Sequence, residues 1–117
     1  MSPLVVIAIG LVGGIGAIGR FLLDGAVSAR VARSFPWGTL AVNLTGAFAL
    51  GVLAGATLSE NAYRIAGVGL LGAYTTFSTW MLESHRLGED GRLPLGLLNF
   101  ALSLAVGIAA VWVGRQL

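Results

Sequence analysis

Charge is missing from four stretches of this chain, Met1 to Gly19, Ser34 to Ser59, Ile65 to Leu82 and Leu93 to Gly114. Each is near the roughly twenty residues that cross a bilayer as helix. The breaks between them are short, so no soluble domain is left over, and residues 1–117 read as a single four-helix transmembrane domain. The 56% hydrophobic content, the 18 glycines and the 10% of charged residues agree with an all-α integral membrane protein. The chain lacks cysteine and lysine, and its net charge of +2 comes from scattered arginines. Disulfide and thiolate metal chemistry are thereby excluded, and nucleic acid is not expected as a partner. No basic region precedes the first apolar run, so a removable signal peptide is not expected.

One span conflicts with its own composition. Thr75, Thr76, Ser78 and Thr79 put four hydroxyls within five residues, after Gly69 and Gly72 and among Tyr74, Phe77 and Trp80. Such a run is poor lipid-facing helix. The third span is therefore expected to break near its centre, reaching Gly72 and resuming from about Thr76. Irregular backbone at membrane depth survives only against protein or a polar cavity, so the break predicts a pore or an ion site. The new helix start suits an anion, and the carbonyls released around Gly72 to Thr75 suit a hard cation.

The other spans carry polar stripes. In the first, Gly10, Gly13, Gly14 and Ala17 form small-residue seams for a neighbouring helix. Arg20, costly inside a span, either pairs with Asp24 one turn on or snorkels to the interface. Ser34-Phe35-Pro36-Trp37-Gly38 reads as an interfacial helix start. Thr39, Asn43, Ala47, Gly51 and Gly55 share one face of the second span, where the Asn43 amide either serves an anion or bonds a neighbouring helix. Ser59 is a plausible N-cap for the third span. Phe77, Trp80 and Ser84 fall on one side after the break, with Glu83 beside them. Asn99, Ser103 and Gly107 stripe the fourth span. His85 stands alone and receives no role. Arginines favour one side only weakly (Arg30, Arg33, Arg86 and Arg92 against Arg64 and Arg115), which allows insertion in both orientations. Four short spans enclose little space, which argues for an oligomer.

In this order and at this size, three motifs carry a resemblance. They are Gly13-Gly14-Ile15-Gly16-Ala17-Ile18-Gly19-Arg20, Phe35-Pro36-Trp37-Gly38-Thr39-Leu40-Ala41-Val42-Asn43-Leu44-Thr45-Gly46, and Gly72-Ala73-Tyr74-Thr75-Thr76-Phe77-Ser78-Thr79. The chain resembles the Fluc (CrcB) family of fluoride channels over essentially its whole length. The resemblance implies a dual-topology antiparallel dimer with two fluoride pores along the subunit interface and a structural sodium ion at its centre. It implies passive fluoride export across the cell (inner or plasma) membrane.

Carried over by residue, Gly72 and Thr75 would offer backbone carbonyls to sodium. Asn43 would donate to fluoride and Phe77 would turn its ring edge to it. Thr39, Ser78, Thr79 and Ser103 would supply hydroxyls, Arg20 would stand near the vestibule, and Glu83 at the pore's far end. Trp80 stands where the family usually has a second phenylalanine, and Asn99 where a tyrosine is common. Both remain candidates for the pore lining, and either change could mark a pore lost in a heterodimer with a related chain. The competing readings are a small four-helix multidrug/proton antiporter, which needs a deep carboxylate where this chain has Arg20, and a non-conducting scaffold or partner subunit. No nucleophile–base pair or metal-ligand cluster points to an enzyme.

Overall fold

The computed structural model describes residues 2–31 and 35–117. Arg33 and Ser34, which enter the expectations about topology and the second helix start, lie outside the described residues. Helix α1 is Pro3–Ser28, with Ser2 as N-cap accepting from the Val5 N–H at 3.3 Å and Pro3 in the first turn. It runs well beyond Gly19. Arg20 and Asp24 are thus helical, because a charge ends an apolar stretch without ending backbone hydrogen bonding. Helix α2 is Trp37–Gly55, preceded by Pro36, with the Phe35 and Trp37 rings 4.8 Å apart at its start.

The third span is composite. Ser59 caps α3 (Glu60–Tyr63) by accepting from the Ala62 N–H at 3.1 Å, as expected. The chain then widens into a π-helical segment, Arg64–Leu71, and continues as a short α4, Gly72–Tyr74. Thr75 is extended (φ −80°, ψ 161°), and helix resumes as α5, Ser78–Glu89. The break therefore falls where the hydroxyl run places it. The π segment has no counterpart in the sequence reading, and a π stretch inside a helix often marks a functional position. Gly91 turns the chain with φ +76°, a backbone state that glycine enters freely, into α6, Leu93–Arg115.

Among the described residues, four helices, counting Glu60–Glu89 as one, are long and apolar enough to cross a membrane. Packing follows the small residues, though not every expected seam. Gly16 lies against the Leu70 carbonyl, and a side chain there would clash with backbone; Gly10 and Gly14 meet nothing within 4 Å. The first-span seam is therefore built on Gly13 and Gly16, which face the third span. Among the described residues, helices α2 and α6 make the most extensive contact. They run parallel, since Gly51 abuts Val111 and Gly55 abuts Arg115, pairs equally offset along both helices. Among the described residues, few side chains are enclosed. Val42 and Asn99 are the largest that are fully buried, whereas Leu4, Ile7, Leu11, Ile15, Ile18 and Leu22 make an exposed apolar stripe along α1. Such a face suits lipid or another subunit.

Candidate functional site

The break is mended by one side chain. Asn43 Nδ2 donates to the Thr76 carbonyl at 2.9 Å, and the Thr76 N–H donates to Asn43 Oδ1 at 2.8 Å. This two-bond pairing fixes which end of the amide faces which group. It also diverts the Thr76 N–H from the Gly72 carbonyl one turn back, its partner in a continuous helix. A second diversion follows. The Thr79 N–H donates to Thr76 Oγ1 at 3.2 Å, so Thr76 caps α5 and the Thr75 carbonyl loses its helical partner as well. The Thr75 hydroxyl turns back to the Leu71 carbonyl at 3.0 Å.

An open cleft of about 410 Å³ lies in front of this break. Asn43, Gly72, Thr75, Phe77, Trp80 and Ser103 all face it, together with apolar groups of α2 and α6. The Phe77 ring is 69% exposed, the least covered aromatic of the site, and meets Trp80 edge-on with centroids 5.6 Å apart. Behind the break a smaller polar cavity of about 190 Å³ is lined by Arg20, Phe21, Asp24, Thr39, Val42, Thr76 and Thr79. Thr76 belongs to both walls.

The residues singled out from sequence thus gather in two groups rather than one. Arg20, Thr39 and Thr79 stand behind the break, and the cleft-facing set stands before it. Ser78 is exposed beside Thr76, with the two hydroxyl oxygens 3.4 Å apart. Glu83 lies within reach of Thr39, Asp24 and Arg86, and its Oε1 is buried with no hydrogen-bond partner among the described residues. Asn99 lines neither space. It is 1% exposed and bonded to Ser84 and Ser103.

The Arg20–Asp24 pair allowed by spacing is not made. Asp24 Oδ1 accepts from the Ser28 hydroxyl at 3.3 Å, and the ion pairs among the described residues are Arg64–Glu60 and His85–Glu89. Thr76, which the sequence marks only as the point where the helix resumes, acts here through its backbone and as a cap. The spacing Thr76-x-x-Thr79, an N-cap residue three before an early helical position, was the signal available.

Fold and site together define a multi-pass helical membrane protein with a polar break halfway along one span. The chain belongs to the CrcB family, whose model, described as CrcB-like protein, Camphor Resistance (CrcB), matches residues 7–115. Among its curated relatives, "Fluoride-specific ion channel FluC 2" of Mycobacterium tuberculosis (strain ATCC 25618 / H37Rv) is 53% identical over 109 residues, covering 93% of this chain and 86% of the relative. "Fluoride-specific ion channel FluC" of Geobacter sulfurreducens is 41% identical, covering 93% and 92%. "Fluoride-specific ion channel FluC 1" of Symbiobacterium thermophilum is 39% identical, covering 95% and 94%.

Proposed function

We propose that this chain is a subunit of a fluoride-selective channel, one that lets fluoride leave the cell passively across the cell (inner or plasma) membrane. The observation that carries this reading is the mended break: a wall of neutral donors headed by Asn43, in a chain 53% identical to a protein named a fluoride-specific ion channel. Fluoride is small and strongly hydrated, so a membrane path must replace its water with many donors and avoid a fixed cation that would trap it.

Asn43 gives one of its two amide hydrogens to Thr76 and keeps the other for an ion. Phe77 and Trp80 add electropositive ring edges. The Ser103 hydroxyl continues the path within the cleft and Ser78 lies exposed beside Thr76, while Thr39 and Thr79 line the polar space behind the break with Arg20, and Glu83 borders that same space within reach of Thr39 and Asp24. An antiporter would need a carboxylate where α1 has Arg20, and Asp24 is already bonded to Ser28.

The working unit is an antiparallel, dual-topology dimer in lipid. Its support is the weak arginine asymmetry and a cleft whose wall includes the exposed backbone of Gly72. Sodium belongs between the two copies. The Gly72 and Thr75 carbonyls fit a hard cation because the two diverted N–H groups leave them without helical partners. One subunit offers too few oxygens for such an ion, and a second copy doubles the set. The bound ion would offset repulsion between these oxygens at the interface. One further reading has an observation behind it: Symbiobacterium thermophilum has relatives numbered FluC 1 and FluC 2, which favours pairing with a related chain.

Fluoride efflux from liposomes holding the purified protein, read with an ion-selective electrode beside a matched chloride sample, tests the proposal. Rapid fluoride release without chloride release is expected. Equal leakage of both ions overturns the channel reading. Silence from the well-folded homodimer that co-expression with a related chain reverses moves the assignment to a heterodimer.

A further inference from the structure

Asn99 is almost wholly enclosed in α6, so every polar atom it carries needs a partner. Asn99 Nδ2 donates to Ser84 Oγ at 2.7 Å, Ser84 Oγ donates to the Trp80 backbone carbonyl at 2.9 Å, and Trp80 Nε1 donates to the Asn99 backbone carbonyl at 3.3 Å. These bonds close a ring between α5 and α6. Gly96 makes it reachable, because a side chain there would press on the Ser84 carbonyl. The Trp80 ring also stacks on Phe100 at 5.4 Å and supports Phe77 edge-on. On its other side, Asn99 Oδ1 accepts from the Ser103 hydroxyl at 3.4 Å.

We propose that Asn99 is a positioning residue of the ion path, touching no ion itself and setting the orientation of the Trp80 indole, the Phe77 ring resting on it and the Ser103 hydroxyl. The inference rests on the channel reading above. With its N–H held by the Asn99 backbone carbonyl, in a register that the Asn99 side chain fixes through Ser84, Trp80 offers the cleft a C–H edge, and Phe77 rests on it edge-on. The Ser103 proton is held by the longest bond of the set. A strong acceptor such as fluoride draws it into the cleft, and a weak one such as chloride leaves it on Asn99. Asn99 thereby contributes to selectivity without lining the path.

The test compares Asn99→Leu, Trp80→Phe and their combination in the liposome assay. Each single change lowers fluoride flux by roughly tenfold and the pair lowers it no further, because the ring is already open. Asn99→Leu also lowers the fluoride-to-chloride ratio, since the Ser103 hydroxyl is released to weaker acceptors. Losses that multiply in the double variant would mean two independent ion contacts and overturn the proposal, as would unchanged flux and selectivity in Asn99→Leu.

Ser84→Ala removes one bond of the ring from α5 and is expected to show the same non-additivity with Trp80→Phe should Asn99→Leu fail to fold. Independently of flux, Trp37→Phe and Trp112→Phe leave Trp80 as the sole indole. Asn99→Leu and Ser84→Ala leave the indole's bond to the backbone carbonyl of residue 99 possible but free the α5–α6 register that aligns it, so its fluorescence anisotropy falls when either is added. Unchanged anisotropy in both overturns the ring's role even if the wild type carries no fluoride.

Discussion

Asn43 answers two needs with one amide. It completes the hydrogen bonding of Thr76, where the helix cannot, and has one hydrogen left over. Asn43→Ala therefore removes a donor from the cleft and also strands a backbone N–H and C=O, at about 1–3 kcal/mol for each unsatisfied group. The expected outcome is fluoride flux reduced by at least about tenfold together with a lowered unfolding temperature, read on the same preparation. Wild-type flux with lowered stability would leave Asn43 a structural staple only. Spacing along α2 brought out this residue, since an amide in a span stands out. It could not distinguish an ion ligand from a staple, because the partner lies 33 residues away.

At the scale of the element, the third span is a helix interrupted where its own sequence offers substitutes for the missing bonds. Thr76 supplies the cap of α5. Thr76→Val keeps the shape and the backbone pairing with Asn43 but removes the capping oxygen, and should lower stability by about 1 kcal/mol. Thermal unfolding in detergent checks this, with a wild-type midpoint counting against the cap.

The existence of the spans was legible because hydrocarbon excludes charge, and the break because hydroxyls and glycines crowd one turn. Their ends were less so. Arg20 and Asp24 close an apolar stretch while α1 runs on to Ser28, and Glu83 lies inside α5 rather than beyond it. The π segment Arg64–Leu71 left no mark in composition, since its wider turn depends on packing against α1. Asn99 looked like one more member of a polar stripe. Its burial and its ring with Trp80 and Ser84 depend on how α5 and α6 approach, which periodicity along α6 alone does not contain.

At the scale of the whole molecule, one subunit is thin, 49 × 28 × 24 Å, and its cleft opens sideways. A Cβ placed on Gly72 would meet nothing closer than the Gly67 carbonyl at 3.7 Å, an ordinary contact. Gly72→Val is accordingly expected to leave the subunit folded and to shift the protein from dimer to monomer in size-exclusion chromatography. A persistent dimer would remove this face from the interface. The pairing of Asn43 with Thr76 also has a consequence in time. Ribosomes deliver the amino end first, so α2 is in the bilayer with its amide waiting before the interrupted span follows it. The second helix thus acts as a chaperone held within the same polypeptide, and a rearranged gene that delivered the third span ahead of it would send exposed peptide groups into hydrocarbon with nothing to receive them.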